Sequence, residues 1–174
     1  MSLKDLAPAK SVPDDINVII EIPAQAGMIK YEMEKTSGFL TVDRFMPTAM
    51  YYPANYGFVP NTLSGDGDPV DVLVITPVPV QPGSLIRARA IGVLNMEDES
   101  GPDRKVLALP IKKICMQLAH IEKLEDVPEI LRKSIVHFFE QYKTLEPGKW
   151  VKISGWEGVK AAQQEIEESI RRFS

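Results

Sequence analysis

The pattern of apolar and polar residues changes along the chain, from short apolar runs in the first two thirds to helical spacing in the last third. The early runs are rich in β-branched residues and bounded by Gly, Pro, Asp or Ser, which is typical of strands joined by turns. Strands are predicted over residues 16–22, 28–35, 39–45, 70–76, 84–95, 106–109 and 150–153. Residues 47–60 are aromatic but irregular, and we expect core and turn packing there.

Two of these segments also predict details of strand geometry. The strands before and after Ser37–Gly38 are expected to form a hairpin, because the dipeptide is typical of a turn. In the strand over residues 84–95, Ile86 and Ala88 are expected to face inward, and Gly92 suggests a bulge.

Two helices are predicted near the end of the chain, over residues 128–143 and 161–173. The second places Ala162 and Ile166 on one face, and its charged residues, including Glu165, are interpreted as a solvated face. Several short strands followed by two helices favour an α+β or mainly β fold, either of the α+β type or a barrel with additional helices. The absence of regular βα alternation disfavours a doubly wound sheet.

Length and composition narrow the class of protein. A chain of 174 residues with 44% hydrophobic and 25% charged residues is expected to form a single domain over residues 1–174, with residues 1–15 as an arm or short helical turn. The net charge of -4 disfavours a general nucleic-acid binder, and no apolar run approaches the ~20 residues of a membrane helix. The lone Cys115 excludes an internal disulfide. We therefore expect a soluble, cytoplasmic protein without nucleic-acid or membrane partners.

The most informative stretch is an acidic loop that leads into an apolar strand, Asp66-Gly67-Asp68-Pro69-Val70-Asp71. Two carboxylates about 4 Å apart repel by roughly 4 kcal/mol at an effective dielectric of 20, so three converging aspartates favour a bound cation. The alternative is a solvated turn in which Asp66 caps the backbone. An EF-hand is excluded because Asp71 stands where that loop needs glycine. Residues 97–105 form a second acidic loop, again followed by an apolar strand.

Oxygen ligands without histidine point to Mg²⁺ or Mn²⁺ ahead of zinc. Magnesium sites with few protein ligands are usually completed by substrate phosphates, so cationic and hydroxyl side chains are expected nearby. Candidates are Lys30, Arg44, Lys105 and the pair Tyr142–Lys143, although each taken singly is more often a surface residue. The sequence has no Gly-rich phosphate loop, no zinc-protease helix and no serine-hydrolase elbow.

Taken together, these segments resemble those of a known protein family. Residues 66–72 resemble the diagnostic motif of the soluble family I inorganic pyrophosphatases, in particular the short bacterial type. The resemblance covers roughly positions 15–173, in order and spacing. It continues through Glu21-Ile22-Pro23, Ile29-Lys30-Tyr31-Glu32, Val42-Asp43-Arg44-Phe45, Tyr52-Pro53-Ala54-Asn55-Tyr56-Gly57, Asp98 to Lys105, and His137-Phe138-Phe139-Glu140-Gln141-Tyr142-Lys143.

The resemblance implies a five-stranded closed β-barrel of OB-like type with two main helices packed outside. It also implies hydrolysis of inorganic pyrophosphate to two orthophosphates, by in-line attack of a metal-activated water with several Mg²⁺ ions in the site. Mn²⁺ is a possible substitute, and a homohexamer is expected. This chemistry is physically reasonable, because pyrophosphate repels a hydroxide nucleophile unless the site cancels its charge.

The same resemblance assigns roles to individual residues. The metal ligands would be Asp66, Asp71, Asp98 and Asp103. The substrate contacts would be Lys30, Arg44, Tyr56, Lys105, Tyr142 and Lys143. Asp68 would be the general base, and Glu21 and Glu32 would support the site through water or hydrogen bonds.

Two other functions remain open at the level of the sequence. One is a non-enzymatic OB-like module that binds nucleic acid or oligosaccharide, which would need a basic stripe with exposed aromatic residues. The other is a hydrolase of organic phosphates. The one observation against it is that the sequence has no obvious base-stacking pocket.

Overall fold

The computed structural model describes residues 3–174, and most of its regular structure is β. The strands are β1 (Ala9–Ser11), β2 (Asp15–Ile22), β3 (Ile29–Met33), β4 (Leu40–Phe45), β5 (Asn55–Phe58), β6 (Asp71–Val74), β7 (Leu85–Asp98), β8 (Gly101–Pro102), β9 (Lys105–Pro110) and β10 (Val151–Gly158). The helices are α1 (Glu129–Gln141) and α2 (Val159–Phe173), with short 3-10 turns at Leu3–Asp5, Met116–Leu118 and Leu124–Asp126. The mainly β fold with two main helices is confirmed.

Five strands pair in a ring at the centre of the molecule. Strand β2 pairs with β5, and β5 pairs with β6, both in antiparallel register. Strand β6 runs parallel to β9, which is antiparallel to β7. The long strand β7 then pairs with the start of β2, so each of the five strands has two neighbours within the ring, and β7 also pairs with β8 and β10 outside it. Strands β3 and β4 form a separate hairpin, as predicted.

The core lies on both faces of the ring strands, because successive side chains of a strand point to opposite sides. Val72 and Val106 belong to one buried cluster, which α2 joins through Ala162 and Ile166. Alternate residues of the same strands form the other buried cluster, which contains the aromatic face of α1. The two helices therefore pack against different buried clusters. Within residues 3–174, no helix has the length and apolar character needed to cross a membrane.

The structure corrects several predicted boundaries. Strand β5 lies in the segment that we expected to be irregular, since Asn55 and Gly57 both disfavour strands by propensity. Its pairing with β2 overrides that propensity, and the chains approach so closely that a Cβ at Gly57 would lie 1.9 Å from the Ile19 carbonyl oxygen. Strand β7 runs on to Asp98, so the second acidic loop is shorter than expected and contains the two-residue strand β8.

Both ends of the chain also differ from the expectations. Strand β1 pairs with β2, so the described part of the N-terminal arm contains a strand besides its 3-10 turn, whereas residues 1–2 lie outside the described residues. Helix α1 ends at Gln141, which places Tyr142 and Lys143 just past its end. In α2, Glu165 is only 3% exposed, so its assignment to a solvated face is wrong. The bulge at Gly92 is confirmed by a register shift between Ala90 and Gly92.

Candidate active site

The two acidic segments meet because β6 and β9 are parallel neighbours. Both strands begin at the same edge of the sheet, and their register places Asp71 opposite Lys105. The loop before each strand therefore lies at that edge, which brings Asp66 and Asp103 to one end of the ring. Strand β7 ends there as well, at Asp98.

A cavity of about 250 Å³ opens at this edge. It is lined by every residue predicted as base, substrate contact or metal ligand. These are Asp68, Lys30, Arg44, Tyr56, Lys105, Tyr142, Lys143, Asp66, Asp71, Asp98 and Asp103. A second cavity of about 90 Å³ shares Lys30, Tyr56, Asp68 and Asp71 with it and holds Glu21 and Glu32.

Lys105 lines the larger cavity and is almost completely buried. Its Nζ donates to Asp71 Oδ2 and to Asp103 Oδ1, both at 2.5 Å, and to the Tyr56 hydroxyl at 3.1 Å. Burial alone would lower the pKa of Lys105, but Asp71 and Asp103 outweigh it and hold that pKa well above its usual value. Lys105 is therefore a permanent cation between two carboxylates.

Negative charge is nevertheless in excess around this lysine. Burial raises the pKa of Asp103, with Asp71 and Asp98 adding to the shift and Lys105 opposing it. Burial also raises the pKa of Asp66, and the charges of Asp103 and Asp71 raise it further. Within residues 3–174, no set of three carboxylate, imidazole or thiol side chains is already positioned to hold one metal ion.

Asp68 differs from the other aspartates of its loop in its exposure. The Asp66 carboxylate accepts from the Asp68 backbone N–H at 3.0 Å, and the Asp68 carbonyl accepts from the Ser64 N–H at 2.7 Å. These bonds, with Gly67 at a φ of 91°, turn the Asp68 side chain outward, where it is 71% exposed. Its carboxylate lies 3.3 Å from Lys35 Nζ.

Glu32 lies on β3 of the hairpin, and Glu21 lies on β2, where it contacts β3. Glu21 is buried, and its Oε1 accepts from the Met33 N–H of β3 at 2.7 Å. Burial raises the pKa of Glu21 to about 8, and the nearby charges of Asp71 and Glu32 contribute to that rise. Glu32 is half exposed, with its carboxylate 3.9 Å from Lys30 Nζ.

Arg44 and Lys143 are held at the rim by acidic partners. The Arg44 guanidinium binds Glu146 through two hydrogen bonds of 2.6 and 3.2 Å, and it also donates to Asp43 at 2.7 Å. Glu146 is the main reason why the pKa of Arg44 lies above its usual value. Lys143 Nζ donates to Asp98 Oδ2 at 2.7 Å.

Sequence reasoning missed several residues of the site. Glu99, Ser100 and Lys149 line the larger cavity, Lys35 lines the smaller one, and Glu146 holds Arg44. Glu99 and Ser100 could have been found, because they stand inside the second acidic loop. Nothing in the pattern distinguished Glu146 or Lys149, since both follow the end of α1 in a segment without periodicity.

Known proteins match this chain over nearly its whole length. The family model described as "Inorganic pyrophosphatase" matches residues 18–174. An inorganic pyrophosphatase of Vibrio vulnificus is 58% identical over 99% of this chain and 98% of its own length, and that of Escherichia coli K12 is 57% identical with the same coverage. A solved inorganic pyrophosphatase from Coxiella burnetii superposes with a TM-score of 0.95 at 59% identity, covering 97% of this chain and 100% of its own.

The chain therefore belongs to the inorganic pyrophosphatase family. It is an inorganic diphosphatase, a hydrolase of pyrophosphate. Membership of this family implies a divalent metal cofactor. The alternative of a non-enzymatic binding module is wrong.

Proposed function

We propose that this chain hydrolyses pyrophosphate to two orthophosphates with Mg²⁺ as its cofactor, in the cavity lined by Asp66, Asp71, Asp98 and Asp103. The observation that supports this most is the convergence of these carboxylates with lysine and arginine side chains on one space of about 250 Å³. Anionic groups that hold a cation and cationic groups that hold an anion are both needed when a metal phosphate complex is bound.

The four aspartates would hold the Mg²⁺ ions, with Asp71 shared between two of them and Asp98 and Asp103 holding an ion that binds together with the substrate. The donor set fits a hard cation because it offers only oxygen. The raised pKa values of Asp66 and Asp103 are consistent with the fit, since burial and, to a lesser extent, neighbouring carboxylates disfavour their charged forms, and a bound cation would relieve both effects. When bound, the ions would neutralise substrate oxygens and lower the pKa of water. Mn²⁺ is proposed as a substitute.

The phosphoryl groups would be held by cationic and hydroxyl side chains. The contacts would come from Lys30, Arg44, Tyr56, Lys105, Tyr142 and Lys143. Burial holds the pKa of Tyr56 and that of Tyr142 well above the usual value, so both hydroxyls remain donors at neutral pH. These donors would stabilise the charge that develops on the equatorial oxygens as the bond to the leaving phosphate loosens.

Asp68 would accept the proton of the water that attacks in line. Its exposed carboxylate faces the shared rim of the two cavities and is not held between buried groups, which leaves its oxygens available for a water molecule. Glu21 and Glu32 would support the site, Glu21 by fixing the hairpin strand β3 through the Met33 N–H.

Several properties of the whole protein belong to the same proposal. The pairing ring of β2, β5, β6, β9 and β7 supports a closed five-stranded barrel of OB-like type. A single domain over residues 1–174, a homohexameric assembly and a cytoplasmic location are predictions that follow from the family resemblance.

Phosphate release tests this proposal directly. The purified protein should release orthophosphate from pyrophosphate with excess Mg²⁺, and EDTA should abolish the release until Mg²⁺ is restored. A nucleoside triphosphate and a sugar phosphate, assayed in parallel, should release far less. Release that persists in EDTA would contradict the metal assignment, and preference for the nucleotide would favour a hydrolase of organic phosphates.

A further inference from the structure

We propose that Glu165 of α2 is a positioning residue that holds the two metal-binding segments in register with each other. This inference rests on the proposed function, because it concerns the aspartates to which that function assigns the Mg²⁺ ions. Glu165 lies outside both cavities of the site and was expected on a solvated helix face. It is instead only 3% exposed, which is costly for a carboxylate unless its oxygens are satisfied.

Besides Ser169 and Arg172 of α2 itself, this buried carboxylate has one partner at each of the two acidic segments. Glu165 Oε1 accepts from the Ser64 hydroxyl at 3.0 Å, and Oε2 accepts from the Arg104 guanidinium at 3.0 Å. Ser64 stands two residues before Asp66, and Arg104 stands between Asp103 and Lys105. One side chain of the C-terminal helix therefore contacts both segments, from sequence distances of 101 and 61 residues.

The contact with Ser64 reaches the metal-binding turn through the backbone. The Ser64 N–H donates to the Asp68 carbonyl at 2.7 Å, and the Ser64 carbonyl accepts from the Gly67 N–H at 3.2 Å. These bonds close the turn that presents Asp66. A second contact joins this turn to α2, because the Leu63 N–H donates to the Ser169 carbonyl at 2.9 Å.

The contact with Arg104 acts on the other segment. Asp103 and Lys105 precede and follow Arg104 directly, and they point into the cavity where Lys105 bridges Asp71 and Asp103. The Arg104 side chain lies on the opposite side of the strand start and binds Glu165, with Glu157 of β10 at 3.6 Å. A shift of Arg104 would therefore move both of its neighbours in the site.

Partners that hydrogen-bond around metal ligands without touching the metal typically change metal affinity by about 10–100-fold when they are removed. Glu165 would act one step further out, through the backbone of both segments. We therefore expect a loss of Mg²⁺ affinity at the low end of that range. The expected result is weaker Mg²⁺ binding with turnover largely retained at saturating Mg²⁺, because no reacting group is removed.

The chain offers a matched pair of serines for the test. Ser64 and Ser169 both donate a hydroxyl to Glu165 Oε1, at 3.0 and 3.1 Å, and both are buried. Ser64→Ala removes the contact with the acidic turn, whereas Ser169→Ala removes only bonds within α2, one to Glu165 and one from Arg172 at 3.4 Å. Glu165→Gln retains a single, neutral acceptor oxygen, so either Ser64 or Arg104 faces the amide N–H₂ group instead of an oxygen.

We expect Ser64→Ala and Glu165→Gln to raise the Mg²⁺ dissociation constant about tenfold, measured by titration calorimetry of the full chain without substrate. The Mg²⁺ concentration for half-maximal phosphate release should rise in parallel, while Ser169→Ala should stay within about twofold of the parent in both readouts. If Glu165→Gln does not fold, the comparison of the two serine variants still decides.

Two outcomes would overturn the inference while the proposed function stands. One is parental Mg²⁺ affinity in Ser64→Ala and in any folded Glu165→Gln protein, which would leave Glu165 a purely structural group. The other is an equal weakening of Mg²⁺ binding in Ser169→Ala, which would attribute the effect to a general destabilisation of α2. A parent protein that binds no Mg²⁺ would overturn the proposed function and this inference together.

Discussion

Asp66, Asp68 and Asp71 stand within six residues, yet the fold gives each a different surrounding. Asp71 is the first residue of β6 and binds Lys105, whereas Asp66 is half-buried near Asp103. Asp68 points outward and is the most exposed of the three carboxylates. The same side chain can therefore be assigned to a metal ligand or to a base according to its burial, which the spacing of the residues does not reveal.

Asp68→Asn should lower the turnover number for pyrophosphate by about 10²–10⁴-fold, the range typical of a lost general base. Mg²⁺ binding should be retained, because the exposed amide leaves the buried aspartates unchanged. Phosphate release and titration calorimetry on the same sample would check both parts. Asp66→Asn provides the contrast, since it should weaken Mg²⁺ binding. Loss of Mg²⁺ binding in Asp68→Asn would reassign Asp68 as a ligand.

At the scale of the elements, the site depends on how closely β2 and β5 approach. Gly57→Ala should destabilise the protein by at least about 3 kcal/mol, because its Cβ would lie 1.9 Å from the Ile19 carbonyl oxygen of the paired strand. Urea unfolding would measure the loss. Gly158→Ala is a matched control, since a Cβ there would meet nothing within 4 Å. Equal stability of the two variants would contradict the close approach of the strands.

The pairing between β2 and β7 carries an ion pair whose contribution to stability depends on pH. Arg87 of β7 binds Asp15 of β2 through both carboxylate oxygens, and this hydrogen bonding lowers the pKa of Asp15 below its usual value of 3.8. Because the folded pKa is the lower one, the stabilisation is fully present above about pH 4 and is lost as the pH falls through the folded value.

Asp15→Asn should therefore lower the unfolding free energy at pH 7 and have progressively less effect below pH 4. Urea unfolding of both proteins across that range would measure the difference. A difference that stays constant with pH would show that the charge of Asp15 contributes nothing and that the amide merely packs less well.

At the scale of the whole molecule, large apolar side chains remain exposed on the segment over residues 39–51. Phe39, Phe45 and Tyr51 are 72%, 66% and 67% exposed. Extensive apolar exposure of this kind often marks an interaction surface. The predicted homohexamer would supply a partner, and light scattering should then report the mass of six chains of 19.4 kDa. A monomeric mass at micromolar concentration would contradict the prediction.

Much of the architecture could be predicted because local patterns and local packing agree. The hairpin of β3 and β4, the inward face of β7 and the two helices all follow from periodicity and turn residues. Strand β5 could not be predicted, since Gly57 is unfavourable in a strand until β2 lies against it. Glu165 could not be placed either, because its charge suggests solvent and its buried partners lie far away in the chain.

The chemical groups of the site can be read from the sequence alone: two acidic segments ahead of apolar strands, the cations and tyrosines that accompany them, and a resemblance that covers nearly the whole chain. How these groups meet follows from the packing of the fold. The parallel pairing of β6 with β9 sets Asp71 beside Lys105, and Glu165 spans both acidic segments from α2. Such contacts depend on long-range register and burial, which are properties of the packed molecule and leave no periodic trace in the chain.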